Sequence, residues 1–443
     1  MNTPLRHPRR SFVAAGGAAA LATIIPRHVL GTALQPSANN KLNVAAVGVL
    51  GMGSADIGEV AKTENVVAIC DVDAEAARRV AARYPGARIY ADYREMLEQE
   101  KDLDAVMVAT PDHTHAVITV AALKKGKHVF CQKPLTHSVY EALKVKQAAA
   151  EAKVATQMGN QGQASEGARL ICEYIWAGAL GKVREIHSWS NRRPDISPRQ
   201  IPRPKETPPV PSHLNWDLWL GPAPERPYHP CYHPFAWRGW WDFGTGVLGD
   251  IGCHNLSAAF KALKLGWPES VEACSTHWNA PPEIKNETAP LASIVTYRFP
   301  AQGDRPEIVI RWYDGGMMPP LPKIFGDRNI FEGDGTLIVG DEGMLLGSTL
   351  LPESRAKEVG KPPQVLPRSP GHYVEWVQAC KGGPPPGSNF VDHAAHLAAV
   401  VLMGNIAIGV QKKLYWDPVN LRFTNSDEAN ALLNPPYREG WTL

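Results

Sequence analysis

Asp250 and His254 stand four residues apart in the run Gly244–His254, a spacing that puts both side chains on one face of a helix. Alone, such a pair is more often a satisfied interior hydrogen bond than a catalytic set. Lys133 changes the reading. It closes the apolar run Val129-Phe130-Cys131 and precedes Pro134, which stops a strand. Ligands of open parallel sheets sit beyond the carboxyl ends of the strands, so an ammonium at that edge points at whatever the sheet binds. A lysine, a histidine and a carboxylate converging there could take the proton of a hydroxyl while hydride leaves its carbon, which is alcohol-to-ketone chemistry.

The elements that would hold Lys133 begin about eighty residues earlier. Leu42 to Val49 reads as an apolar strand entering the turn Gly48-Val49-Leu50-Gly51-Met52-Gly53, and a helix follows from Ser54 to Lys62. Asn65 to Cys70 is the next strand and ends at Asp71. Glycines allow the tight turn and close backbone approach, and the helix N-terminus faces a pyrophosphate. Asp71 suits the adenosine ribose hydroxyls and would repel a 2′-phosphate, so the expected cofactor is NAD before NADP. Leu50 occupies the usual middle-glycine position with Gly51 beside it, so either the turn is re-registered or the pyrophosphate is held differently. Helices are expected at 74–84, 93–99 and 140–152, and strands at 104–109, 128–131 and 154–158. Thr110, Pro111 and His115 follow the 104–109 strand and join Leu50, Met52 and Lys133 as candidate cofactor contacts. Asp112 reads either as a helix cap or as another such contact. This order predicts an α/β fold with a doubly wound parallel sheet over residues 41–160.

Residues 191–243 are rich in proline and carry Trp216, Trp219, Trp237, Trp240 and Trp241, as packing or as stacking surfaces for a sugar ring. His229 and His233 have a metal-like spacing, but Pro230 and Pro234 break the helix that would align them, so no metal is expected. One helix is expected from the Gly244–His254 run to about Leu263. Strand-like runs at 270–278, 292–299, 307–313 and 335–339 then predict an open, largely antiparallel sheet, with helices at 372–380 and 393–411 completing a second α/β domain over 161–443.

The 443 residues are too many for one core. A formal charge of +2 without a long basic run argues against nucleic acid as a partner. No stretch is expected to be long and apolar enough to span a membrane. The seven cysteines are scattered, without a Cys-x-x-Cys pair, and read as single thiols. Arg9-Arg10-Ser11-Phe12 before an Ala/Gly-rich core resembles a twin-arginine export signal over 1–33, with 34–40 as a linker, which predicts a periplasmic or otherwise exported protein.

Gly48 to Gly53, Asp71, Cys131 to Leu135, Gly159-Asn160-Gln161, Phe235-Ala236-Trp237-Arg238, Gly244 to His254 and Lys413-Leu414-Tyr415-Trp416-Asp417 jointly resemble the glucose–fructose oxidoreductase / inositol dehydrogenase / rhizopine-catabolism (Gfo/Idh/MocA) family. The resemblance covers essentially all of residues 41–443. It implies a Rossmann domain, and an α/β domain whose sheet often forms an oligomer interface, hence a dimer or tetramer. It also implies sugars or cyclitols as substrates. On matching positions, Lys133 would hold the reacting hydroxyl and cofactor, His254 would exchange its proton and Asp250 would orient the sugar. Asn160 joins the cofactor contacts, and Gln161, Trp237 and Arg238 the substrate contacts. The family usually has Glu before the lysine; here it is Gln132, which removes a negative charge beside the ammonium.

The leading expectation is an exported NAD(P)-dependent oxidoreductase of a sugar, sugar derivative or cyclitol, keeping its nucleotide tightly bound. One rival is a glycoside hydrolase or lyase working through a transient 3-keto sugar. The other is a sugar-binding protein without turnover.

Overall fold

The computed structural model describes residues 40–192, 197–327 and 330–443, and Leu42–Leu443 form one unit. The export signal expected at 1–33, and the linker up to residue 39, lie outside the described residues.

The first layer alternates strand and helix: β1 (Asn43–Val47), α1 (Met52–Val60), β2 (Asn65–Cys70), α2 (Ala74–Ala81), β3 (Arg88–Tyr90), α3 (Tyr93–Gln99), β4 (Ala105–Val108), α4 (Asp112–Lys124), β5 (His128–Cys131), α5 (Val139–Ala152) and β6 (Thr156–Met158). The six strands are all parallel, in the order β3-β2-β1-β4-β5-β6. Val44, Ala45, Val106, Val108 and Val129 are fully buried because helices cover both faces. Asp73 caps α2 through the amides of Glu75 and Ala76, and Ser138 with Glu141 forms a capping box at α5. The short edge strand β3 was not expected; two of its three residues are exposed, so it carries no apolar signal.

The second layer begins with α6 (Glu166–Trp176) and β7 (Val183–Ser190). It continues with α7 (Gly246–Asn255), α8 (Ser257–Leu263), β8 (Ser270–Ser275), β9 (Ser293–Phe299), β10 (Ile308–Asp314), β11 (Gly335–Gly340), β12 (Met344–Leu346) and β13 (Thr349–Leu351). After these come α9 (His372–Cys380), α10 (Ala395–Val410), β14 (Leu414–Asp417) and β15 (Arg422–Phe423). The nine strands run β13-β12-β11-β7-β10-β9-β8-β14-β15, with only β7 and β10 parallel to each other. β9 alternates strictly between buried and half-buried residues, and this made it legible. β7, central and unforeseen, lacks that alternation. The single helix expected to run to Leu263 instead breaks at Leu256.

One expectation is corrected. The helical stretch Phe390–Val410 is long and apolar enough to cross a membrane by length and composition. It is a core helix here. After a π turn at Phe390–Ala394, α10 packs against α5, α7, β8 and β9, with Leu397, Val401 and Met403 fully buried. Its Gly404 is required, since a Cβ there would lie 2.0 Å from the Tyr297 hydroxyl.

Candidate active site

A cavity of about 320 Å³ opens at the carboxyl ends of the parallel strands. One end holds Asp71 and Asp92, the other Lys133, Arg238 and Asp250. The glycine turn forms the wall between them. Gly48 has φ +78°, and a Cβ on it would lie 2.7 Å from the Ala109 carbonyl oxygen; a Cβ on Gly53 would lie 2.0 Å from the Gly48 oxygen. Gly51, not position 50, takes φ +52° and leads into α1. Leu50 and Met52 line the cavity beside it. Asp71 is held by the amides of Val49 (2.8 Å) and Asp73 (2.9 Å), and burial pushes its carboxyl up to about 6. The bare turn, the N-terminus of α1 and an acid fixed at the end of β2 fit a dinucleotide.

At the other end two of the three expected groups, Lys133 and Asp250, meet on the cavity, while His254 is not among its lining residues. The Lys133 ammonium pairs with Asp250 Oδ1 across the two domains. The Lys133–Pro134 peptide is cis. Arg192 Nε lies 3.5 Å from Asp250 Oδ2, and Arg238 Nε lies 3.9 Å from Oδ1. Burial opposes ionisation of Asp250, but the charges of Lys133, Arg238 and Arg192 hold its carboxyl below the ordinary range. His254, one turn further along α7, is half-buried. Burial and the Lys133 charge push its imidazole down to about 3, against the opposing pull of Asp250. The ring is therefore neutral near pH 7.

Other expected residues stand elsewhere. Thr110, Pro111, Trp237 and Arg238 line the cavity. The Arg238 guanidinium lies 4.3 Å from the Trp237 ring centroid and 4.7 Å from that of Phe235. His115 does not line it: the ring is buried, with Nδ1 2.7 Å from the Pro134 oxygen and Nε2 2.8 Å from the Thr110 oxygen. Two carbonyls need two ring protons. Burial opposes that charge, but Cys131, the Asp112 carboxyl and the Pro134 carbonyl raise the ring to about 9. His115 thus clamps the Lys133–Pro134 corner to the end of β4. Asn160 is also buried, donating to the Cys253 carbonyl and Ser257 hydroxyl and accepting from Ser388. Gln161 donates to the Tyr373 hydroxyl at 3.3 Å. For Asp112, neither a capping bond nor a purely cofactor-facing place is found; it accepts from the amide and hydroxyl of Thr245, fastening α4 to the start of α7.

The aromatic insert is mostly packing. Trp216 and Trp219 stack with centroids 4.6 Å apart, in a cluster with Tyr232, Trp240 and Phe243; Trp219 and Trp237 also face the cavity.

Sequence reasoning missed a buried relay behind Lys133. The Gln132 amide donates to Asp56 Oδ2 (2.7 Å), its carbonyl accepts the Lys133 amide (3.2 Å), and Tyr373 donates to Asp56 Oδ1 (2.6 Å). The negative charge absent at position 132 is thereby supplied by Asp56 on α1, one hydrogen bond away. Gly159 makes room, since its Cβ would lie 2.7 Å from the Gln132 carboxamide carbon.

Two family profiles match the chain. The NAD-binding Rossmann-fold profile of the GFO_IDH_MocA oxidoreductase family matches residues 42–160, and the profile of the family's C-terminal alpha/beta domain matches 203–268 and 365–443. Inositol 2-dehydrogenase of Rhodococcus jostii is 34% identical over 166 residues, 37% of this chain and 45% of that protein. Inositol 2-dehydrogenase of Salmonella typhimurium is 30% identical over 151 residues, 33% of this chain and 45% of that protein. The chain thus spans under half the length of these curated relatives. Among solved structures, the WlbA dehydrogenase of Bordetella pertussis in complex with NADH and UDP-GlcNAcA has a TM-score of 0.57 at 17% identity, covering 85% of this chain and 99% of that one. Levoglucosan dehydrogenase in complex with NADH and L-sorbose has 0.56 at 18%, covering 85% and 98%. At these identities the structures share the fold.

Proposed function

We propose a function from one premise: the chain belongs to the Gfo/Idh/MocA oxidoreductase family. It is an NAD-dependent oxidoreductase acting on a CH–OH group of a sugar, sugar derivative or cyclitol. The observation that carries this is the Lys133–Asp250 pair at the carboxyl edge of the parallel sheet, with neutral His254 one turn away. The Gly48–Gly53 turn and the N-terminus of α1 would hold the pyrophosphate, and Asp71 the adenosine ribose. Bound NAD supplies a hydride acceptor. Lys133 donates a hydrogen bond to the reacting hydroxyl and favours its ionised form. His254 receives the hydroxyl proton. Asp250 orients the sugar and keeps the Lys133 ammonium in place. Relatives named as inositol 2-dehydrogenases support a polyol substrate.

The test is a panel of cyclitols, aldoses and glycosides incubated with the NAD-loaded protein, following NADH absorbance and product mass. Formation of NADH with a keto product from a free polyol is expected. Glycoside cleavage without net NADH would replace this reading with the redox-neutral one.

Three finer proposals accompany it. Arg9-Arg10 directs export, supported by the Ala/Gly-rich run after it. Replacing both arginines by lysine should leave full-length protein in the cytoplasm. An exported enzyme meets no pool of free nucleotide, so it keeps its NAD bound through dialysis; loss of nucleotide on dialysis would refute this. The protein assembles as a dimer or tetramer, which light scattering checks.

A further inference from the structure

We propose that the substrate is an anionic sugar whose acidic group is received by Arg192 and Arg238, the two cations that Asp250 does not neutralise. The inference rests on the oxidoreductase reading above and names its substrate class.

The ground is a charge imbalance at one point. Three cationic side chains, Lys133, Arg192 and Arg238, converge on the single carboxylate of Asp250. Lys133 takes Oδ1 by direct contact. The other two lie at 3.5 Å and 3.9 Å without a hydrogen bond to it, and among the described residues no second carboxylate comes within ion-pair distance of either. Arg192 Nε is sealed from solvent and has no hydrogen-bond partner. A buried donor left unpaired is costly, and a guanidinium fork matches a carboxylate or phosphate. The remaining acids do not cancel the excess. Asp112 is tied to Thr245 with the doubly protonated His115 behind it. Asp71 and Asp92 belong to the far end of the cavity. His254 adds no charge near pH 7.

Position separates this site from the cofactor's. Arg192 follows β7, in the second domain; its side chain is 36% exposed and reaches Asp250 from outside the residues that line the cavity. Arg238 is stacked on Trp237 and Phe235, and its Nη1 donates to the Phe235 carbonyl, so the stack fixes its plane. A hydroxyl on Lys133 and an acid on the two arginines would give the sugar two fixed points around Asp250.

The experiment measures binding of D-glucuronate, D-glucose 6-phosphate and D-glucose to the NADH-loaded protein by calorimetry, independently of turnover. At least one anionic sugar should bind on the order of ten- to a hundred-fold tighter than glucose, the range for one or two hydrogen bonds to charged groups. Which of the two anions is tighter distinguishes a carboxylate from a phosphate. Arg192→Met should reduce the anion's advantage about tenfold, Arg192→Lys should restore part of it, and NADH affinity should not move. Glucose binding as tightly as both anions, or an unchanged advantage in folded Arg192→Met, overturns the inference. In the first case polyol oxidation still stands if the panel above yields NADH. If none of the three binds while cyclitols are oxidised, the anionic inference alone has failed.

Discussion

The two ends of the cavity are built in different ways. The Asp71 end is built from backbone and one acid: a bare glycine turn, a helix N-terminus, and a carboxylate whose oxygens already accept the Val49 and Asp73 amides. All three lie in one continuous stretch from β1 to Asp73. At the Lys133 end the contacts are charged side chains from distant segments, Lys133 and Asp250 being 117 positions apart. The first end depends on shape, and at Gly48 and Gly53 tolerates no added atom. The second depends on charge balance, and its shape is set by whatever holds the charges apart. Damage to the first should therefore appear in cofactor affinity, and damage to the second in turnover.

The largest effect is expected at the charged end. Lys133→Ala should lower turnover about a hundred- to a thousand-fold, the usual cost of removing a donor that stabilises a developing oxyanion. NADH binding should stay within a few-fold. Single-turnover kinetics and fluorescence titration on the same sample check both halves. A large loss of NADH affinity would show that the two ends are not separable.

Gly53→Ala is the counterpart at the other end. The added methyl would meet the Gly48 carbonyl oxygen at 2.0 Å, in backbone that cannot move aside cheaply. Overpacking of this kind costs about 1–3 kcal/mol, so NADH affinity should fall roughly ten- to a hundred-fold. The turnover of enzyme saturated with nucleotide should change far less. Equal losses in both quantities would break the comparison.

Asp71 sharpens it by pH. Its carboxyl titrates at about 6 because burial disfavours the charge. The ionised form is the better acceptor for two ribose hydroxyls, so NADH affinity should weaken as pH falls through 6. Asp71→Ser should flatten that dependence and narrow the preference for NADH over NADPH by about tenfold, the worth of one charge-assisted bond.

These differences also explain what could be read from the sequence. The glycine turn, the β2 acid and the strand–helix alternation were legible because each is a local pattern. Lys133 was legible as a strand-end residue converging with Asp250, but the separate roles of the two rested on family resemblance. The role of Arg192 was not legible, since it sits in a proline-rich stretch with no period and gains meaning only beside Asp250. His115 and Asn160 carry the right types at the right strand ends, yet both face inward. Nothing in their spacing tells a clamp from a contact.

Asp56 is the clearest case of hidden information, and it gives the smallest and most specific prediction. In sequence it is one polar residue in a helix; in the fold it meets Gln132 and Tyr373 from 76 and 317 positions away. Gln132→Glu would restore the residue usual in the family, so a reading by resemblance expects no harm. The structure expects harm, because the new carboxylate would face Asp56 Oδ2 where an amide now donates at 2.7 Å. Asp56 is already held above its ordinary range by burial. A second acid raises the pair further, and acids raised on folding lose stability as pH rises from the unfolded value through the folded one. The penalty, about 1–3 kcal/mol for one unpaired buried polar group, should therefore be full at pH 8 and shrink towards pH 4. Adding Asp56→Asn exchanges donor and acceptor while keeping one carboxylate behind Lys133, so the double variant should recover most of the stability and turnover. Thermal melts of the wild type, both single variants and the double at pH 4 and 8 decide the matter. A harmless Gln132→Glu, or a double variant no better than the single, would show that Asp56 does not stand in for the absent charge.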